Sequence, residues 1–301
     1  MFQDRIECRD DMLLRAATGF EGGTVASGST CGVVTSGALA IALLHDHALK
    51  ERGLAAEIDV IGLIEKYIDW FTVHFGTTIC RVRTEVDFNR VGGQIRYLLP
   101  GDRMARCFRH ITQAVNYLDP VRAGTSILLS ENDTSPREMP SYRCARSVLE
   151  KVRERTGVGD SRVERLSFVF DGGIGLTGGL CGALAGGVMA LNMLFGIDVR
   201  HMSYLQILSA FLIGHVNLLL ERPRGMPEPF GLGSTLAKNF ASAAGSLECS
   251  RITARTFEDW HDFAVHMNSS SFCNGLIDHT ADLASMLIET WRPFVRKDAV
   301  L

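Results

Sequence analysis

Residues 170–187 read FDGGIGLTGGLCGALAGG, and residues 20–37 read FEGGTVASGSTCGVVTSG. The two stretches align without a gap at a shift of 150 positions, which superposes the phenylalanine, the double glycine and the Cys-Gly pair. A repeat of this length predicts that each copy folds into a similar unit and that the two units pack together.

A second block repeats at a shift of 169 positions, where residues 71–88 and 240–257 share the pattern Phe-x4-Gly-Thr/Ser-x2-Cys-x3-Thr-x3-Phe. The outer cysteines pair by order and rough spacing. All eight cysteines then resolve into two sets of four. The first set is Cys8, Cys31, Cys80 and Cys107, and the second is Cys144, Cys181, Cys249 and Cys273. Cysteines that only fill a core have no reason to follow such an order, so the repeat favours a chemical role.

The hydrophobic periodicity is mostly helical. It predicts helices over residues 59–76, 104–118, 144–155, 204–220 and 274–291. Strand signals are confined to residues 166–170 and 95–99. We therefore predict an all-α fold of two homologous helical repeats, residues 1–129 and 142–301, that form an intramolecular pseudo-dimer. The polar stretch SENDTSPREMPS supplies the predicted linker at residues 130–141.

Composition narrows the classes of function. The 301 residues carry 31 basic and 34 acidic side chains, a formal charge of -3, which argues against nucleic acid as a partner. The N-terminal MFQDRIECRDD lacks the apolar core of a signal peptide, so we expect a cytoplasmic location, where disulfides are rare. The uncharged runs 22–44 and 172–197 are long enough to span a bilayer. Their high content of glycine and small residues favours buried helices, with a membrane span as the alternative.

The glycine–cysteine block predicts a flexible loop that delivers Cys31 or Cys181 to the first turn of a helix. Unpaired N–H groups and the helix dipole stabilise a thiolate there. Further along, the glycines at 182, 186 and 187 allow another backbone to approach, one that carries a second cysteine in this hypothesis. Glu21 and Asp171 match just before the double glycine and are candidates to cap the loop.

The same block contains a competing motif. Residues 173–178 spell G-x-G-x-x-G after the strand-like residues 166–170, and Asp198 follows twenty residues later, as in dinucleotide-binding sites. The first repeat lacks the middle glycine and few βαβ units are found, so a nucleotide site ranks below a cysteine site.

The second repeat resembles the redox-active family named for four cysteines, the second within Cys-Gly-Ala-x-x-Gly. Residues 181–186 match that motif completely, with Cys144 as the leading cysteine and Cys249 and Cys273 as the trailing ones. The resemblance covers about residues 141–290. In the first repeat, residues 31–36 read CGVVTS, which departs from the motif although its four cysteines remain. The family is similar to part of the split-Soret cytochromes, which implies a helical domain with cysteines gathered at an iron–sulfur site. Its members are often encoded near transporters.

The leading hypothesis is a cytoplasmic redox or electron-transfer protein with two four-cysteine sites that bind [2Fe–2S] or [4Fe–4S] clusters. Zinc fits the ligand count equally well. No Cys-x-x-Cys-His occurs, so c-type haem is not expected. The alternatives are a thiol–disulfide oxidoreductase attacking through Cys31 and Cys181, a non-catalytic metal- or redox-sensing partner protein, and a nicotinamide dehydrogenase. If the protein is an enzyme, it is an oxidoreductase. We expect a redox partner protein, a transporter being one candidate partner, and a homo-oligomer is compatible with the sequence.

The nine histidines form no repeat-matched pair, so we expect most of them to be structural or surface residues. His215 lies in an apolar run and is a candidate axial ligand, with a core histidine as the favoured interpretation.

Overall fold

A computed structural model describes residues 2–5, 8–122, 143–197, 199–219 and 229–295, so the predicted linker at 130–141 lies outside the described residues. The helices of the first half are α1 Phe2–Arg5, α2 Asp11–Ala17, α3 Gly32–Leu44, α4 Asp46–Arg52, α5 Leu54–Phe75, α6 Cys80–Thr84, α7 Val91–Leu98 and α8 Asp102–Arg122. Those of the second half are α9 Cys144–Thr156, α10 Ser161–Leu166, α11 Gly182–Phe195, α12 Tyr204–Asn217, α13 Pro229–Ala244, α14 Cys249–Thr253, α15 Trp260–Ser269 and α16 Ser271–Trp291. Short 3-10 turns follow at Thr18–Phe20, Ser167–Phe170 and Arg292–Phe294.

The all-α prediction is confirmed. Each of the five predicted helices is present, as α5, α8, α9, α12 and α16. Among the described residues there is no strand, only two isolated bridges, Thr30 with Ile79 and Leu180 with Glu248. The strand signals were wrong. Residues 166–170 end α10 and form a 3-10 turn, and residues 95–99 end α7. The first of these segments is buried on every side, and periodicity alone does not separate such a run from a buried strand.

The two halves repeat the same order of elements. The pairs α2 and α10, α3 and α11, α6 and α14, α7 and α15, and α8 and α16 correspond. Asp10 and Asp160 match at the shift of 150, and each caps the helix that follows by accepting backbone N–H bonds. In the described part of the first half, only the short α1 precedes α2, whereas α9 precedes α10 in the second half.

The predicted pseudo-dimer is confirmed, because equivalent residues meet across the boundary between the halves. The rings of Phe20 and Phe170 lie 5.2 Å apart, and Leu180 N–H donates to Thr30 Oγ1 at 3.0 Å. The packing is reciprocal, since α2 lies against α11 and its counterpart α10 lies against α3. Contacts between equivalent residues are the mark of a two-fold interface. One continuous hydrophobic core runs through both halves.

The uncharged run at 172–197 contains α11, whose residues are buried almost throughout. In the described part of the chain, no single helix is both long and apolar enough to cross a bilayer. The pair α3 and α4, bent by 61°, passes that test by length and composition only.

Candidate functional site

A left-handed turn precedes Cys31 and Cys181. Every residue from 172 to 176 has a φ between 57° and 83°, and every residue from 22 to 26 has one between 45° and 76°. In the second half, the N–H groups of Gly178 and Gly179 close the turn on the carbonyls of Gly172 and Gly173, at 3.0 and 2.6 Å. The expectation of a flexible loop is therefore wrong. The glycines supply a backbone shape that side chains disfavour, and hydrogen bonds fix that shape.

All four cysteines of the second half lie in the first turn of a helix. Cys181 is the N-cap of α11, Cys144 and Cys249 begin α9 and α14, and Cys273 is the third residue of α16. The predicted delivery of Cys181 to a helix N-terminus is thus confirmed, and it extends to the other three cysteines. The positive ends of four helices face one region, which favours thiolates and other negative groups there.

Close backbone contacts bring these cysteines together. Cys181 N–H donates to the carbonyl of Leu247 at 2.8 Å, and Cys249 N–H donates to that of Gly179 at 2.7 Å. A Cβ on Gly173 would lie 2.5 Å from Cys249 Cβ, and one on Gly182 would lie 2.5 Å from Cys144 Cβ. Only glycine fits at either position, so the glycine motif positions two of the other cysteines as well as Cys181.

Cys144, Cys181, Cys249 and Cys273 line one small cavity. The four cysteines of this repeat therefore converge within the repeat and not across the pair. The cavity measures about 20 Å³, enough for one water-sized group. Its remaining wall is largely apolar, formed by Ala183, Ile252, Phe257, Phe263, Met267, Leu276 and Ile277 together with Thr253 and His266.

Burial holds Cys144, Cys181 and Cys249 in their neutral thiol form. Removal from water raises the pKa of Cys181 to about 11, although the N–H groups of Ala183 and Leu184 oppose the shift. Burial also raises the pKa of Cys144 and of Cys249, and the neighbouring thiols raise both further. A metal that binds thiolates must displace these protons, so metal binding here releases protons to solvent.

A buried ion network holds Cys144 in place. The Asp171 carboxylate accepts the N–H of Cys144 at 3.1 Å and the Nε–H of Arg143 at 2.7 Å. Arg143 also donates to Glu57 of the first half at 2.9 Å and lies over the Trp260 ring at 4.6 Å. Asp171 therefore bonds the leading cysteine and not, as predicted, the backbone of its own loop. Glu21, at the matching position of the first half, borders a different cavity.

His266 is a site residue that the sequence prediction missed. Its Nε2 lies 3.4 Å from Cys273 Sγ, and its ring lines the four-cysteine cavity. Burial and the nearby Arg255 charge lower its pKa. The alignment at a shift of 169 can be extended by nine residues beyond Phe88 and Phe257, where it pairs Tyr97 with His266. This pairing is the feature of the sequence that could have pointed to His266. His215, the earlier candidate ligand, is buried against Phe211, in keeping with the favoured core interpretation.

In the first half, Cys31, Cys80 and Cys107 line a second cavity of about 600 Å³. Cys31 and Cys80 begin helices, whereas Cys107 lies in the second turn of α8. The expectation that Cys8 joins them is corrected, because the lining of this cavity does not include Cys8 and its Sγ accepts a hydrogen bond from Arg162 of the second half at 3.2 Å. At the shift of 150 that matches Asp10 with Asp160, Cys8 matches Val158 and not Cys144.

The first-half cavity also contains a buried cation. Arg83 Nη2 donates to Cys31 Sγ at 2.8 Å, and Arg83 Nη1 contacts His110 Nδ1. The matching positions in the second half are Ile252 and Leu276, both part of the four-cysteine cavity. The two halves thus share a backbone arrangement but differ in the chemistry of their cavities.

Among the residues that the structure describes, no group of three or more His, Cys, Asp or Glu side chains is arranged to hold a single metal ion. All eight cysteines are free thiols. A tetrahedral zinc site with Zn–S bonds of about 2.3 Å needs sulfurs within about 3.8 Å of one another. The second-half thiols border one cavity without forming such a site.

The dinucleotide interpretation of residues 173–178 is wrong. The segment before this loop is helical, and the described residues contain no strand from which a βαβ unit is built. The G-x-G-x-x-G glycines serve the left-handed turn instead.

Comparison with known proteins identifies one family. The chain matches the family described as "Putative redox-active protein (C_GCAxxG_C_C)" twice, over residues 1–120 and 142–287. No curated protein matches the chain, and no solved structure matches it. The two matches cover both helical repeats, as a tandem duplication requires. The chain belongs to the C_GCAxxG_C_C redox-active family.

Proposed function

We propose that this chain is an electron-transfer protein whose second half binds one iron–sulfur cluster through Cys144, Cys181, Cys249 and Cys273. The observation that carries the proposal is the convergence of these four cysteines, each in the first turn of a helix, on one cavity. Four thiolates are the usual ligands of [2Fe–2S] and [4Fe–4S] clusters, and such a cluster supplies reversible one-electron transfer.

The arrangement of the thiols favours a cluster over zinc. In a [4Fe–4S] cluster each cysteine binds a different iron atom, so the sulfurs stand further apart than around one ion. The described residues contain no ready site for a single ion, as zinc would need. The space between the thiols is small, so the cysteine side chains must rotate outward to admit a cluster.

The surrounding residues have separate tasks in this proposal. Phe257, Phe263 and Met267 keep water from the site. Asp171 positions Cys144 through its backbone N–H. His266 lies against the Cys273 sulfur, and a hydrogen bond to a ligand sulfur adjusts the reduction potential of a cluster.

A second four-cysteine centre is not part of the proposal. Arg83 occupies the position beside Cys31 where a cationic metal would have to lie, and Cys8 is bonded elsewhere. We place the protein in the reducing cytoplasm, with a separate protein as electron donor or acceptor, and its eight free thiols suit that compartment.

The test is iron, acid-labile sulfide and zinc analysis of protein purified without air, with its visible spectrum before and after dithionite. Near-stoichiometric iron and sulfide with absorption that bleaches on reduction support the proposal. Cys181→Ser should lose the iron, whereas Cys8→Ser should keep it. Zinc alone, or a metal-free protein with reducible disulfides, overturns the cluster and favours a structural or thiol-exchange role.

A further inference from the structure

The large cavity of the first half has features that the proposed function does not use. Its volume of about 600 Å³ lies in the range of small-molecule binding sites. Its walls are mainly apolar, with Leu14, Phe88, Met104, Ile111, Leu118 and Phe211 among the residues that form them. The four-cysteine cavity of the second half is far smaller, at about 20 Å³.

Arg83 lies in the wall of this apolar cavity and is 8% exposed. No carboxylate of the described residues lies within ion-pair distance of its guanidinium, and its buried Nε–H has no hydrogen-bond partner there. An arginine stays charged in proteins, and a buried charge without a counter-ion destabilises the fold.

Three side chains contact Arg83, and none of them is an anion: its guanidinium lies 5.4 Å from the centre of the Phe71 ring and bonds His110 and Cys31. Burial and the neighbouring arginines lower the pKa of His110 to about 4, so its imidazole is neutral near pH 7. Burial raises the pKa of Cys31 despite the adjacent guanidinium, so its thiol is neutral as well. Glu21, the carboxylic acid in the cavity wall, forms no ion pair with Arg83, and burial raises its pKa to about 7. The guanidinium therefore lacks an anionic partner in a cavity large enough to admit one.

We propose that the first-half cavity binds an organic monocarboxylate with an apolar body, whose carboxylate pairs with Arg83. A single cation matches one negative charge, and a guanidinium matches the planar carboxylate through parallel N–H bonds. The apolar walls take the body of the ligand. The second half has Ile252 and Leu276 in place of Arg83 and His110, so the site belongs to the first half alone.

The test uses decanoate and 1-decanol, which share an alkyl chain and differ in the charged group. Calorimetric titration of the full-length protein, below the concentration at which decanoate forms micelles, should show one saturable site that prefers decanoate at least tenfold. Arg83→Gln should abolish that preference while leaving decanol binding unchanged. Arg90→Gln removes an exposed charge of the same half, one that pairs with Asp87 away from the cavity lining, and should bind as the wild type does.

Ala40→Phe provides a variant that leaves Arg83 in place. Ala40 lines the cavity, and a phenyl ring there should displace both ligands. Thermal melting establishes that each variant is folded. The proposal is overturned if Arg83→Gln keeps the preference for decanoate or if Ala40→Phe binds both ligands as the wild type does. It is also overturned if the wild type shows no saturable binding. Loss of iron in Cys181→Ser should leave decanoate binding intact, which separates this inference from the proposed function.

Discussion

Replacing Gly182 with alanine tests whether close helix packing positions the leading cysteine. A Cβ at this position would lie 2.5 Å from Cys144 Cβ and 2.7 Å from the backbone oxygen of Phe170. Both distances are shorter than real Cβ contacts, and the second atom is backbone. Either α9 or the 3-10 turn before the glycine loop must therefore move.

The expected change in the free energy of unfolding of Gly182→Ala follows from two opposing effects. Overpacking a filled site costs about 1–3 kcal/mol, and the gain in helix propensity from glycine to alanine returns at most about 1 kcal/mol. We expect Gly182→Ala to lower the free energy of unfolding by about 1–2 kcal/mol. The iron content should fall as well, because the displaced element carries or contacts Cys144.

Gly275 provides the matched control. It is exposed within α16, two residues after Cys273, and an added Cβ would meet no atom within 4 Å. Gly275→Ala therefore reduces the entropy of the unfolded chain without a clash. It should raise the free energy of unfolding by about 0.5–1 kcal/mol, with iron content unchanged.

Urea unfolding followed by far-UV circular dichroism measures both free energies, and iron analysis of the same preparations measures the site. Replacement of glycine by alanine should thus lower the free energy of unfolding at position 182 and raise it at position 275. If Gly182→Ala is as stable as the wild type and retains full iron, close approach to Gly182 is not what positions Cys144.

Two further predictions concern charge and protonation. Asp171→Asn leaves the buried Arg143 with less compensating charge and should cost about 3–5 kcal/mol of unfolding free energy, whereas Asp282→Asn, in an exposed pair with Arg155, should cost less than about 1 kcal/mol. Equal losses would contradict the role of the buried network. Burial raises the folded-state pKa of Cys181 from 9.0 to about 11, so stability of the metal-free protein should fall as pH rises through that interval, because the unfolded chain loses its protons first. Urea titrations at several pH values test this, and a flat profile would contradict thiol burial.

The duplication made much of the fold predictable. The shift of 150 superposes Phe20 on Phe170, and the structure places those two rings against each other at the pseudo-two-fold interface. The helical period located α5, α8, α9 and α16 because each has an apolar face against a common core. It also located α12, although most of the apolar side chains of that helix are exposed. The four cysteines of the second half that the motif groups together line one cavity, and glycines fix their approach, while their role as ligands stays a prediction.

What escaped prediction depends on contacts between distant segments. Residues 166–170 carry no periodicity because every side is buried, so a helical turn there resembles a strand. Cys8 was grouped with the other three cysteines of its half by order and spacing alone. The structure instead aligns the two halves at this point through the helix caps Asp10 and Asp160, which leaves Cys8 without a cysteine counterpart. The residue that matches His266 in the first half is Tyr97. A search for identical residues at matching positions of the two halves therefore does not find His266.

The contrast between the two cavities rests on a pair of substitutions that depend on each other. Arg83 and His110 are in contact in the first half, and Ile252 and Leu276 replace them in the second. Arg83 without His110 would leave a further buried donor unpaired, at a cost of about 1–3 kcal/mol. An arginine at position 252 would place a permanent cation among the four thiols, and like charges would oppose the iron binding that we propose there. Intermediates with only one of the two changes are therefore disfavoured on both sides. In the functions we propose, this divergence suits one half to thiolate ligation and the other to an anion.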